Sequence, residues 1–160
     1  TSPMEVGWIA GAAYLLGAAG MIINGRHSDK RGEVRWHFAG SALLGAVGML
    51  ALAITMGMES IPVLAALTVM VLALVGTMSA IPVFWQMPNM LLSGGAAAVG
   101  VALINSVANL AGFGAPYLMG LIKASTGKVA PGLYLVAIVE ALAAILAIAF
   151  IARIQRRKSA

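Results

Sequence analysis

Cysteine is absent from the 160 residues, and acidic side chains number only five. The first absence excludes disulfides and thiolate metal sites and leaves the redox compartment unmarked. The second matters with the total: charged residues make up 9% of the chain, against roughly 25% in ordinary soluble domains, which excludes a water-facing globule. Enzyme constellations are missing too, with no Gly-x-Ser-x-Gly, no P-loop and no paired carboxylates, so neither an enzyme nor a cofactor is expected. His27 and His37 bracket a charged stretch at a spacing that matches no metal motif, and they read as solvent-exposed loop side chains. No metal site is expected either.

What is present is apolar: 61% of the residues are hydrophobic. A hydrocarbon core about 30 Å thick needs about 20 apolar residues per helix. Five runs meet that length, at about 4–23, 38–58, 61–87, 96–122 and 132–151. The expectation is an all-α membrane protein, with 1–160 a single transmembrane helical domain whose short connections make antiparallel neighbours. Gly7 and Gly11 form a small-xxx-small pair that permits close helix approach in lipid. Residues 24–37 read as the charged connection between the first two runs, 59–60 as a very short turn, and 88–95 as the connection into the fourth run. Pro82 predicts a kink or tilt near the end of the third. Thr1 opens the chain with no signal-peptide pattern, and the sequence reads as a piece of a longer protein.

A net charge of +5 could suggest nucleic acid, but eight of the ten basic residues fall in two clusters. One is Arg26, Lys30, Arg31 and Arg35; the other is Arg153, Arg156, Arg157 and Lys158. Each flanks an apolar run and lacks interleaved exposed aromatics, which points to membrane topology and away from nucleic acid. An even number of spans separates the clusters, so both lie on one side. The positive-inside rule makes that side, and the C-terminus, cytoplasmic. Glu59, Lys123 and Lys128 then face outward.

The stretch from Phe84 to Tyr117, FWQMPNMLLSGGAAAVGVALINSVANLAGFGAPY, mixes polar groups and helix breakers into apolar sequence. In a bilayer such features are tolerated mainly where they face protein or a water-filled cavity. Asn105 and Asn109 fall one helical turn apart on one face, either as helix glue worth about 0.6 kcal/mol per bond or as amides toward a ligand. Trp85 and Gln86 lie between Pro82 and Pro88, which free backbone carbonyls; Trp85 is either a flat cavity wall or an interfacial belt residue. Tyr14, near the middle of the first run, needs a partner or a cavity. Glu140, central in the last run, carries an insertion cost of about 2.5 to 3.5 kcal/mol if charged; a neutral, hydrogen-bonded or snorkelling side chain is the plainer reading beside a proton carrier.

The segment GRHSDKRGEVR, residues 25–35, resembles the motif G-x-x-x-D-[RK]-x-G-x-[RK]-[RK] that major facilitator superfamily transporters carry between paired helices. Val34 departs from it, standing where relatives often have a basic residue. The region from FWQMP through GGAAAVGVALINSVANLAGFGAPYLMGLIKASTG resembles the anion:cation symporter family, which includes tartrate, phthalate, nicotinate and sugar-acid permeases. The resemblance implies that the five runs correspond to helices 8 to 12 of a twelve-helix transporter, with helix 7 and the N-terminal half outside this chain. It implies a substrate cavity lined by the first, third and fourth runs, with the second and fifth as support.

The same resemblance implies symport of a small organic anion with a cation, most often a proton, by alternating access across the inner membrane, in contact with lipid. It makes Asn105 and Trp85 the leading substrate contacts, with Asn109, Gln86 and Tyr14 as further candidates. It makes Gly25, Asp29, Lys30, Arg31 and Arg35 a cytoplasmic gate, in which a carboxylate near a helix N-terminus and bridging arginines latch one state. The positive charge that would neutralise the anion is expected in the missing half. A non-transporting membrane module, or a truncated assembly partner, is the alternative.

Overall fold

The computed structural model describes residues 2–58 and 61–158, and side chains as far as Arg153. Glu59 and Ser60, expected to form the short outward turn, lie outside the described residues, as do the side chains of Arg156, Arg157 and Lys158 in the second basic cluster.

Five helices follow one another: α1 (Pro3–Arg31), α2 (Arg35–Thr55), α3 (Val63–Leu91), α4 (Gly94–Thr126) and α5 (Ala130–Lys158). All five are long and apolar enough to cross a membrane. A capping box starts α1: the Glu5 amide donates to Ser2 Oγ at 3.2 Å and the Ser2 amide to Glu5 Oε2 at 2.8 Å, with Pro3 at the opening position.

Three connections are shorter than hydropathy suggests, among them that between α4 and α5, where only 127–129 lie outside the helices. The charged stretch after Asn24 remains helical as far as Arg31, and only 32–34 connect α1 to α2. Gly32 stops the helix, at φ 59°, where its amide reaches back to Asp29 O. The end of an apolar run marks the edge of the hydrocarbon, whereas backbone hydrogen bonding continues until a residue such as Gly32 turns the chain. Likewise α3 runs through Pro88 to Leu91, so that Leu92 and Ser93 alone link it to α4.

The packing is a row, α1 on α3, α3 on α2 and α2 on α5, with α4 touching α3 and α5 only slightly. The core lies where α2, α3 and α5 meet, around Phe38, Ala42, Val83, Ala144 and Ile151. The α2–α3 crossing is backbone to backbone. A Cβ on Gly48 would stand 2.5 Å from Ala73 Cα, and one on Gly76 would collide with the Gly45 amide. Small residues therefore do bring helices together, but not the pair first suspected. A Cβ on Gly7 or Gly11 would meet nothing within 4 Å, whereas Gly17 and Gly20 face Met78 and Ser79 of α3.

Glu140 sits at the three-helix junction. Thr77 of α3 donates to its Oε1 at 2.6 Å, and Gly45 of α2 leaves the room that Oε2 occupies, since a Cβ there would be 2.8 Å away. Oε2 itself has no partner among the described residues.

Candidate functional site at the α1–α2 connection

The helix ends on either side of Gly32 carry the densest polar network in the described residues. Gly25 is buried against Pro82 of α3, where a Cβ would rest in ordinary contact, 3.4 Å from Pro82 Cβ. Above this contact, Gln86 of α3 donates from Nε2 to Asp29 Oδ1 at 2.9 Å. The fully buried Ser28 hydroxyl lies 2.8 Å from Glu33 O and 3.2 Å from Gln86 Oε1, two acceptors for its single hydrogen. One helical turn deeper, the Asn24 amide ties all three helices together. Its Nδ2 is 2.8 Å from Ser79 O on α3, 3.3 Å from Ser41 Oγ on α2 and 3.4 Å from His37 O.

Glu33 governs the start of α2. Val34, the formal cap, makes no side-chain capping bond, and the Glu33 carboxylate instead accepts the Trp36 amide at 2.8 Å and the His37 amide at 3.3 Å. His37 Nδ1 adds a contact to Glu33 Oε2 at 2.6 Å. Partial burial alone would raise the Glu33 carboxyl; the bonds from the Trp36 and His37 amides and from the imidazole outweigh it and hold the group below its ordinary value. His27 of α1 completes the chain, its Nδ1 lying 2.7 Å from His37 Nε2. The two histidines, expected as solvent-exposed loop side chains, lie instead on α1 and α2 and join the two helices, with His27 exposed and His37 partly buried. They also line a cavity of about 680 Å³ with Arg31, Trp36, Ser41 and Ser79.

Four of the predicted gate residues lie in the last two turns of α1 and the fifth, Arg35, opens α2; two features differ from the expectation. Asp29 lies in the last turn of α1, the negative end of the helix, so it is Glu33 that enjoys the N-terminal dipole. Lys30 and Arg31 occupy that same last turn, where positive charge is favourable. No arginine bridges Asp29 either: among the described residues the single contact of a basic side chain with a carboxylate at salt-bridge distance is that of His37 with Glu33. Arg35 stacks over the Trp36 ring at 4.8 Å, leaving its buried Nε without a hydrogen-bond partner.

The candidate substrate contacts are not gathered into one place. Asn105 and Asn109 lie exposed on α4, which has no buried residue, and the Asn109 amide donates only to the Asn105 backbone oxygen at 2.9 Å. Trp85 stands edge-on to Phe84, with ring centroids 5.4 Å apart. Gln86, its neighbour, turns toward Ser28 and Asp29. Tyr14 is exposed on α1.

Sequence reasoning missed Asn24, Ser28, Glu33 and the histidine pair as parts of this network. Gly32 behind two basic residues is a helix C-terminus signal; taken as such, it shrinks the connection and brings positions 27 and 37 to within about one turn of it on either side.

No family model and no solved structure matches the chain significantly. Curated sequences do. A protein of Agrobacterium vitis named as a tartrate transporter is 44% identical over 137 residues, which is 85% of this chain and 30% of that protein. The quinolone resistance transporter of Acinetobacter baumannii is 36% identical over 99% of this chain and 35% of its own length. The metabolite transport protein NicT of Pseudomonas putida is 32% identical over 96% of the chain and 34% of its own. The chain belongs to this family of transport proteins. It spans about a third of the length of the curated relatives it matches. Membership agrees with the resemblance to the major facilitator superfamily carried by residues 25–35 and by the Phe84 to Tyr117 stretch. The relatives are named for transport and not for catalysis.

Proposed function

We propose that this chain is the C-terminal part, about helices 8 to 12, of a secondary transporter that moves a small organic anion such as a carboxylate or sugar acid across the inner membrane. The observation that carries the reading is the 44% identity to a protein named for tartrate transport, sustained over 85% of the chain. In this reading the anion is coupled to a cation, the proton, and the transporter works by alternating access around a site shared with the rest of the protein. The basic clusters and the C-terminus face the cytoplasm.

Support for the binding wall comes from α4. Its two asparagines are exposed, with no helix packed on them among the described residues, and a polar face in a bilayer requires a partner. Asn105 presents an amide to the anion, Trp85 supplies an apolar wall, and Asn109, Gln86 and Tyr14 lie at the margin. Gly25, Asp29, Lys30, Arg31 and Arg35 form the cytoplasmic gate, locked on this side by Gln86.

The test is uptake into proteoliposomes by the full-length protein, scanned over tartrate, phthalate, nicotinate and hexonates with and without an imposed proton gradient. Saturable, gradient-stimulated uptake of one of them is expected; its absence for all four sinks the anion reading. The 36% identity to a quinolone resistance transporter favours a second reading, export of a drug-like molecule, which the same vesicles loaded with a fluoroquinolone would reveal.

A further inference from the structure

The contact between His27 Nδ1 and His37 Nε2, at 2.7 Å, has a proton count that constrains it. A nitrogen-to-nitrogen hydrogen bond holds one hydrogen between the two atoms. The other nitrogen of His37 faces the Glu33 carboxylate at 2.6 Å and therefore carries a hydrogen of its own. With both rings neutral, His37 Nε2 is bare and His27 Nδ1 donates. With one added proton, either ring becomes imidazolium and the bond persists, since the other nitrogen still accepts. A second added proton places hydrogens on both facing nitrogens and two like charges side by side, and the contact cannot survive.

We propose that His27 and His37 form a one-proton site that clamps the cytoplasmic ends of α1 and α2 together, and that uptake of a second proton opens the clamp. The sign follows from the count: the clamp holds while no more than one proton is added and is released when acidification supplies the second.

The surroundings support this direction. Arg31 of α1 lines the same cavity as both rings, no acidic side chain lines it, and the one carboxylate in contact with the pair is Glu33, at His37 Nδ1. From α3 that cavity receives only the uncharged Ser79. Arg26 and Asp29 line a separate hollow against Pro82, Lys30 is exposed, and Arg35 lies over Trp36. From α5, which packs on this end of α2 through Ile151, the described charged side chain is the exposed Arg153. Glu33 stays bound to the α2 amides and to His37 in all three protonation states, so opening frees α1 while α2 remains capped.

This switch is separate from the choice of substrate, and its test does not use transport. Amide hydrogen exchange of residues 26–31 is followed in the full-length protein in nanodiscs at pH 7.5 and 5.0, corrected for the intrinsic pH dependence of exchange. Acidification should raise local opening in the native protein by about 2- to 10-fold, the weight of one net hydrogen bond. His27→Gln retains an amide donor toward His37 but takes up no proton, and should stay protected at both pH values. His27→Phe lacks the bond altogether and should be open equally at both. Equal protection of the native protein at the two pH values overturns the proposal, as does an acid-induced loss of the same size in either variant.

Discussion

Asn24 and Asn105 are the same side chain in two helices of the same protein, and they live in opposite circumstances. Asn24 lies at a three-helix contact, where its amide reaches Ser79 O, Ser41 Oγ and His37 O. Asn105 projects from a helix with nothing buried, and its neighbour Asn109 bonds only to its backbone. The difference teaches how to read a polar residue in an apolar chain. An amide whose hydrogen bonds close within the chain is structural, and one left open awaits a ligand, lipid headgroups or another part of the protein.

This contrast can be broken or sharpened by substitution, beginning with the scaffold that both regions hang on. Gly76→Val forces a side chain into the Gly45 backbone and should destabilise the bundle most, by about 3 kcal/mol, read as a lowered thermal midpoint in detergent. Asn24→Ala should cost about 1.5 kcal/mol in the same assay, since it removes the amide that ties α1, α2 and α3. Glu33→Gln should cost about 1 kcal/mol, comparable to losing a helix cap. That variant also tests a pH effect of definite sign. The carboxyl titrates below its ordinary value in the folded protein, so its contribution is complete above the ordinary carboxylate range and disappears as pH falls through the lowered value. An acid limb of stability that is equally steep in Glu33→Gln would show that another group carries it.

The smallest effect on stability belongs to the other side of the comparison. Asn105→Ala should shift the thermal midpoint by no more than about 0.5 kcal/mol equivalent, as an exposed substitution does. In the full-length transporter it should weaken anion affinity all the same. An unchanged half-saturation concentration for the best substrate would remove Asn105 from the binding site, and a large loss of stability would mark it as helix glue.

Much of the architecture is legible in the residue order, because a bilayer leaves little choice. Twenty apolar residues in a row must hydrogen-bond their own backbone, so five runs become five helices. The helix ends were less legible. Hydropathy reports where side chains leave the hydrocarbon, while α1 continues to Gly32 and α3 to Leu91 on backbone bonding alone. The candidate site was legible by residue type but not by partner. Gly25 and Asp29 stand in a recognisable pattern, yet Gln86, 57 positions from Asp29, joins them only because α3 lies against α1. The histidine pair was missed for the same reason, since a contact between the faces of two helices has no signature along the chain.

By itself, then, the sequence determined the solvent, the number of spans and the family, since each depends on composition or on local order. Which glycines make contacts was decided by tertiary structure, with Gly45, Gly48 and Gly76 at the α2–α3 crossing while Gly7 and Gly11 face open space. Tertiary structure also decided that Glu140 meets Thr77, that Glu33 rather than Asp29 sits at a helix N-terminus, and that His27 meets His37. The physical reason is common to all of these. A hydrogen bond or a van der Waals clash depends on ångström distances between elements, and those distances exist only once the helices have packed.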